Sequence, residues 1–205
     1  MKLFYMQGAC SLSPHIALFE AGADFDAIAV GRDKRTADGR DFRKLNPYGY
    51  VPALELEDGE VLVEGPAIVQ YIADRFPDAG LAPANGSIER TRLQSALGLV
   101  NSELHKTIGS LFQGNLSDKE RAQIDEKIET RLGQLSVQMA GKQWIANDRY
   151  SVADAYLFTV LRWLSFFKID LGRWPVLADH QQRMLQRPAV QKALRAEGLL
   201  RDQAA

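Results

Sequence analysis

Cys10 is the only cysteine in the 205 residues of the chain and lies in the stretch "GACSLSPH", residues 8–15. The segment Lys2–Tyr5 before it has the pattern of a short apolar strand, and Ser11 after it opens a helical pattern. A thiol at a helix N-terminus meets free N–H groups and the positive end of the helix dipole, which can lower its pKa from about 8.5 to below about 7.5. The same position suits the thiolate of a ligand. The alternative is that Cys10 is a small buried apolar residue.

Val51 and Pro52 form a second candidate feature, in "GYVPAL". A proline cannot donate to a sheet, so Pro52 predicts the start or edge of a strand. With a cis bond, the N–H and C=O of Val51 would face outward and pair with an extended peptide. The alternative is an ordinary trans proline at a strand edge.

Glu64, Gly65 and Pro66 form a third, where a predicted strand ends and a helix begins. The helix start and the Gly65 N–H suit a carboxylate, and Glu64 suits an ammonium group, so together they suit a zwitterionic amino-acid end. Alternatively, Glu64 only interacts with the helix dipole. An anion-prone sulfur site, an exposed backbone edge and a zwitterion clamp together match the chemistry of glutathione.

Composition and motif spacing exclude several classes of partner and site. The 25 basic and 26 acidic residues give a formal charge of −1, which argues against a nucleic-acid or acidic-membrane surface. The three histidines have no metal-ligand spacing, which predicts no metal site. The sequence has no signal-peptide pattern and no apolar run near the roughly 20 residues of a membrane helix. A single cysteine excludes an internal disulfide and fits a cytoplasmic location.

Strand-like and helix-like segments alternate in the first third of the chain. The Asp58-Gly59 turn between "ALELE" and "EVLV" predicts a hairpin, and helices are predicted over 11–21 and 66–76. The Pro- and Gly-rich stretch after Phe76 predicts a linker. We therefore predict an α/β domain over residues 1–77, a linker over 78–87 and an all-helical domain over 88–205.

Helical periodicity dominates the second part. Apolar residues at three- and four-residue spacing predict one helix over 93–112. Beside them runs a stripe of polar and small residues, which either lines a cleft or faces solvent. The stripe comprises Gln94, Gly98, Asn101, His105 and Gly109. Ser117 and Ser151 each begin a capping-box pattern, and Pro175 and Pro188 mark two further helix starts. The segment "AYLFTVLRWLSFF" is apolar nearly all round and predicts a buried helix. Its aromatic residues are interpreted as core: Tyr156, Phe158, Trp163, Phe166 and Phe167.

Four segments resemble the beta class of bacterial glutathione S-transferases, and the similarity runs essentially from Met1 to Leu200. They are "MKLFYMQGACSLSPHIAL", "NPYGYVPALELEDGEVLVEGPAIVQYIAD", "NSELHK" and "SVADAYLFTVLRWLSFFKIDL". The resemblance implies a thioredoxin-like N-terminal domain, an all-α C-terminal domain that carries the electrophile pocket, and a homodimer.

The resemblance also implies a role for individual residues. Cys10 would face the glutathione sulfur and form a mixed disulfide with it, and His105 would point toward that sulfur from the helical domain. Val51, before a cis Pro52, would pair with the cysteinyl backbone, and Glu64 with Gly65 would hold the γ-glutamyl end. Lys34 would contact the glycine carboxylate, and Glu103 would reach a glutathione bound by the neighbouring subunit. Two departures weaken the match: Gly98 replaces a frequent asparagine, and Gly65 replaces the serine of many relatives in the wider superfamily.

The expected function is conjugation of glutathione, the co-substrate, to a hydrophobic electrophile. Cys10 either orients the sulfur during conjugation or is itself a nucleophile in thiol–disulfide exchange, in which case a second glutathione must resolve the mixed disulfide. A protein that binds glutathione or hydrophobic ligands without turnover is the alternative, and the departures at Gly65 and Gly98 favour it.

Overall fold

The computed structural model describes residues 1–200, which form two compact units. The first contains residues 1–82 and 185–200, and the second contains residues 83–184. The last helix of the chain therefore belongs to the first unit, whereas the predicted helical domain ran from residue 88 to the end. Residues 201–205 of that predicted domain lie outside the described residues. The division of functions between the two predicted domains stays a prediction.

The first unit is built on a four-stranded mixed sheet. Its strands are β1 (Lys2–Tyr5), β2 (Asp26–Ala29), β3 (Ala53–Glu55) and β4 (Val61–Val63), in the order β2-β1-β3-β4. β1 runs parallel to β2 and antiparallel to β3, and β3 pairs antiparallel with β4. The β3–β4 pairing, with Leu54 opposite Leu62, confirms the hairpin predicted from Asp58-Gly59.

Three helices complete this unit: α1 (Leu12–Glu20), α2 (Gly65–Arg75) and α8 (Pro188–Ala196). α1 packs against both α2 and α8. Phe4, Val30, Phe42 and Ala53 form a small hydrophobic core in this unit, against which Val51 packs. The Val51–Pro52 peptide bond is cis.

The second unit is helical. It contains α3 (Ile88–Leu99), α4 (Lys106–Gly109), α5 (Asp118–Gln138), α6 (Val152–Arg162) and α7 (Pro175–Leu185), whose last residue falls in the first unit. α3 and α4 are joined by a π-helical segment, Val100–His105, and followed by a 3-10 turn, Ser110–Phe112. The single helix predicted over 93–112 is thus a helical run with three geometries. Within residues 1–200, no helix is both long and apolar enough to span a membrane.

Both predicted capping boxes are present. At α5, the backbone N–H of Ser117 donates to Glu120 Oε2 at 2.8 Å, and the box is exposed. At α6, the backbone N–H of Ser151 donates to Asp154 Oδ2 at 3.0 Å, and the box is buried. Asp154 also accepts from the Ile145 N–H at 2.9 Å, so it fixes the chain entering α6 as well as the helix start.

α6 is the buried centre of its unit, as predicted, because every residue from Val152 to Leu161 is buried. The interpretation of the aromatic residues as core is confirmed for Tyr156, Phe158 and Trp163, which are buried, whereas Phe167 is half-buried and Phe166 is exposed. α6 ends at Arg162 and continues as a 3-10 helix, Trp163–Phe167, whose different periodicity turns Phe166 outward to 59% exposure.

Candidate functional site

Cys10 lies in the loop between β1 and α1, immediately before the helix cap Ser11. The residue is half-buried, and its thiol donates to the carbonyl oxygen of Val51, with Sγ 3.2 Å from that oxygen. Ser11 is fully buried and holds the loop, because its Oγ accepts from the Met6 N–H and donates to the Met6 carbonyl. The strand-loop-helix geometry around Cys10 is therefore the one that the sequence predicts.

Of the two interpretations of Cys10, a lowered pKa and a small buried apolar residue, the structure contradicts the first. Burial, together with the smaller effect of the negative charges of Glu64 and Glu197, raises the pKa of this thiol to about 12. The backbone N–H groups of Cys10 and Ser11 act in the opposite direction, as the helix start implies, but burial outweighs them. Cys10 is consequently a neutral thiol near pH 7.

Val51, Pro52, Glu64 and Gly65 meet at one end of the β3–β4 hairpin. Pro52 is buried just before β3, and Gly65 is the first residue of α2, just after β4. A Cβ placed on Gly65 would lie 3.7 Å from Pro52 Cγ, so Gly65 lies beside the Pro52 ring with room for a small side chain. Glu64 is exposed and has a φ of 70°, a left-handed conformation that aims the chain into α2.

Lys34 follows β2 in a tight turn, where its N–H donates to the Gly31 carbonyl at 3.0 Å and its φ is 65°. Its side chain passes Gly49: a Cβ there would lie 3.9 Å from Lys34 Cδ and Cε. Lys34 therefore lies against the segment that leads to Val51.

Glu197 was not anticipated from the sequence. This residue follows α8, is 3% exposed, and accepts from the Gly8 N–H at 2.8 Å. Its other carboxylate oxygen lies 2.9 Å from His15 Nδ1 in α1, and its carbonyl accepts from Gln7 Nε2 at 2.7 Å. The loop that carries Cys10 is thus hydrogen-bonded to the residue that follows α8. No local pattern indicates this contact, because Glu197 lies 182 residues from His15 in sequence.

His105 lies in the second unit, at the end of the π-helical segment. Its Nδ1 is 2.6 Å from the hydroxyl oxygen of Tyr156, and that hydroxyl donates to Asn101 Oδ1 at 2.9 Å. The Trp163 ring meets the imidazole edge-to-face, with centroids 4.8 Å apart. Burial lowers the pKa of His105 below its usual value of 6.5, so the ring is neutral near pH 7.

Two other residues of the π-helical segment, Asn101 and Glu103, also have side-chain partners. The Asn101 side-chain oxygen accepts from the Tyr156 hydroxyl. Glu103 forms an ion pair with Arg131 of α5, at 2.7 Å. The sequence interpretation treated Tyr156 only as a core aromatic residue, because it lies in the apolar segment of α6. Its hydroxyl nevertheless contacts two residues of the polar stripe, Asn101 and His105. Within residues 1–200, no group of three or more His, Cys, Asp or Glu side chains is arranged to hold a metal ion.

Two family models match the chain. The glutathione S-transferase N-terminal domain matches residues 8–75, and the glutathione S-transferase C-terminal domain matches residues 99–188. Glutathione S-transferase GstA of Escherichia coli O157:H7 is 43% identical over 200 residues, which cover 97% of this chain and all of the relative. The chain belongs to the glutathione S-transferase family.

Solved structures agree with this assignment. A sphingomonad glutathione S-transferase complexed with glutathione is 47% identical, with a TM-score of 0.94 over 98% of this chain and 100% of that one. A bacterial beta-class glutathione S-transferase from Sphingomonas chungbukensis is 46% identical, with a TM-score of 0.94 over the same shares. The protein is a glutathione transferase with a thioredoxin-like N-terminal fold and a helical C-terminal unit.

Proposed function

We propose that this glutathione transferase joins the sulfur of glutathione to the electrophilic carbon of hydrophobic substrates. The observation that carries the proposal is the convergence at the N-terminal end of α1: the Cys10 thiol is 3.2 Å from the Val51 carbonyl, beside the Pro52–Gly65 approach. The glutathione bound in the sphingomonad relative supports glutathione as the co-substrate.

Glutathione would be held by its backbone and by both of its ends. Val51, next to Pro52, would pair with the cysteinyl backbone as an added strand does. Glu64 would bind the γ-glutamyl ammonium and the Gly65 N–H its carboxylate, because α2 begins at Gly65 and the first N–H groups of a helix have no partner within it. Lys34 would pair with the glycine carboxylate, and its position against residue 49 supports that role.

The reaction is a substitution or addition at carbon. With an aryl halide, the carbon–sulfur bond forms, the carbon–halogen bond breaks, and halide leaves with the bonding electrons. The thiol proton goes to a base, a role we assign to His105. Its low pKa, caused by burial, supports this assignment, because a neutral imidazole accepts a proton whereas a protonated one does not.

Cys10 would serve chiefly as a thiol beside the glutathione sulfur rather than as an independent nucleophile. Only the thiolate attacks a disulfide, and a pKa of about 12 leaves little thiolate near pH 7. A mixed disulfide would form slowly: Cys10 attacks glutathione disulfide, one glutathione leaves, and a second glutathione resolves the bond.

The enzyme would act as a homodimer in the cytoplasm, with detoxification as its role. Tyr48 and Tyr50, just before Val51, are 77% and 72% exposed, and exposed aromatic residues are typical of protein interfaces. Glu103, oriented by Arg131, would reach the glutathione of the neighbouring subunit. Sedimentation equilibrium tests the dimer, and a monomer at micromolar concentration would contradict it.

Retention on immobilised glutathione, followed by assays with 1-chloro-2,4-dinitrobenzene and with hydroxyethyl disulfide, tests the function. We expect retention and turnover of the aryl halide. Cys10→Ala should keep conjugation and lose disulfide exchange, whereas Ser13→Ala, in the first turn of α1, should change neither. Retention without turnover of either substrate would contradict the proposed chemistry and favour a binding protein.

A further inference from the structure

Tyr156 occupies a central position in the second unit. The residue is 2% exposed, and its hydroxyl lies between two side chains of the π-helical segment: His105 Nδ1 at 2.6 Å and Asn101 Oδ1 at 2.9 Å. A buried hydroxyl placed between a histidine and a carbonyl oxygen has few ways to distribute its one proton.

The count of protons decides the arrangement. The amide oxygen of Asn101 only accepts, so the single hydroxyl proton of Tyr156 lies on the bond to Asn101. The hydroxyl oxygen must then accept from His105, which requires a hydrogen on Nδ1. In a neutral imidazole the other nitrogen, Nε2, is left with a lone pair.

We propose that Tyr156 is a positioning residue that holds His105 in the Nδ1–H tautomer, so that Nε2 is the proton acceptor. In free neutral histidine the Nε2–H form is the commoner one, so the protein must impose the other. The hydrogen bond of the second ring nitrogen is the usual means of doing so.

The ring around this bond is held firmly. Trp163 packs edge-to-face on the imidazole at an interplanar angle of 77°. A Cβ placed on Gly109 would lie 3.5 Å from His105 Cδ2, so the helix passes close to the opposite edge of the ring. Burial also keeps the imidazole neutral, which is the state in which a tautomer exists.

The catalytic consequence rests on the proposed role of His105 as the base. Loss of the Tyr156 hydroxyl would put a hydrogen on Nε2 in most molecules and block proton acceptance there. A positioned base contributes about 10²–10⁴-fold to a rate, so we expect Tyr156→Phe to lower kcat by roughly tenfold or more. The KM for glutathione should stay within about twofold, because no ground-state contact to glutathione is removed.

The tautomer itself can be read directly by long-range ¹H–¹⁵N correlation spectra of the protein with ¹⁵N-labelled histidine. The chain has three histidines, and His105→Gln identifies the signals of His105 by their loss. We expect Nδ1–H for His105 in the wild type and mainly Nε2–H in Tyr156→Phe. Tyr71→Phe, in the first unit, is the matched control and should leave the spectrum and the rates unchanged.

His180 supplies an internal standard, since its Nε2 lies 3.2 Å from a carboxylate oxygen of Asp154 and should carry hydrogen in every folded variant. If Tyr156→Phe does not fold, Asn101→Ala replaces it. Without the Asn101 oxygen, the Tyr156 proton is free to point at His105 Nδ1, and the Nε2–H form should again increase.

An Nε2–H tautomer in the wild type, or an unchanged tautomer in both variants, would overturn the inference. The proposed function fails differently. If His105→Gln conjugates at the wild-type rate, His105 is not the base, and the tautomer result stands by itself.

Discussion

The Cys10 thiol donates to the backbone carbonyl of Val51, 3.2 Å away, and this bond is made by the protonated sulfur only. Burial and the bond favour the neutral thiol, whereas the adjacent helix start favours the thiolate. In this protein the neutral form prevails, since the pKa of Cys10 is raised to about 12.

The first prediction concerns the pH dependence of Cys10 alkylation. Iodoacetamide reacts with thiolate, so Cys10 should react slowly near pH 8, and its rate should keep rising well above pH 9, the ordinary thiol value. The stabilisation from the neutral thiol is complete below pH 9 and is lost as the pH rises toward 12. Free glutathione is the control, and a half-maximal rate for Cys10 below pH 8 would refute the raised pKa. Glu64→Gln should move the profile to lower pH, because it removes a nearby negative charge.

A second prediction concerns Gly65→Ser. The φ of Gly65 lies outside the left-handed region and a Cβ there makes only an ordinary 3.7 Å contact with Pro52, so the variant should fold normally. If the γ-glutamyl carboxylate lies at this helix start, the added hydroxyl should donate a hydrogen bond to it. One such bond contributes about 1 kcal/mol, which corresponds to a roughly fivefold lower KM for glutathione. Gly133→Ser, in open space on α5, is the control and should leave the KM unchanged. An unchanged KM in Gly65→Ser would place the carboxylate elsewhere.

The third prediction is that Glu197→Ala destabilises the enzyme by about 2 kcal/mol or more, because each buried hydrogen-bonding group that loses its partner costs about 1–3 kcal/mol. His15 and the Gly8 N–H would both lose their acceptor. Glu129→Ala breaks an exposed ion pair with Arg173 and should cost under about 1 kcal/mol. Urea unfolding measures both, and equal losses would show that Glu197 does not fasten the Cys10 loop.

The fourth prediction compares the two capping boxes. Asp154→Ala leaves the buried N–H groups of Ile145 and Ser151 without an acceptor, and each costs about 1–3 kcal/mol. Glu120→Ala removes the same kind of contact at an exposed site, where water replaces it, and should cost about 1 kcal/mol or less. Thermal unfolding of the two variants makes the comparison, and a smaller loss for Asp154→Ala would contradict the role of burial.

Local signals predicted the elements of this fold well. Asp58-Gly59 marked the hairpin, Ser117 and Ser151 marked two helix starts, and Pro188 marked the last helix, because turn and cap chemistry depends on adjacent residues. The family resemblance supplied the fold class and the candidate residues.

What local signals missed depends on packing. The pKa of Cys10 follows from the burial of its thiol, and the Glu197–His15 contact joins residues 182 apart. The π-helical segment that ends at His105 was predicted as regular helix, and Tyr156 was predicted as a core residue. Both predictions rest on periodicity, which indicates which face of a helix is apolar but not which hydrogen bonds form across it.

The incorporation of α8 and Glu197 into the first unit has a consequence for biosynthesis. The segment that supplies the proposed glutathione contacts is synthesised early, whereas Glu197, which accepts from the Gly8 N–H of the thiol loop, is added only after the whole of residues 83–184. The nascent first unit therefore lacks the Glu197 contacts to Gly8 and His15 while the helical unit is synthesised, and a chain that stops before residue 197 would lack them permanently.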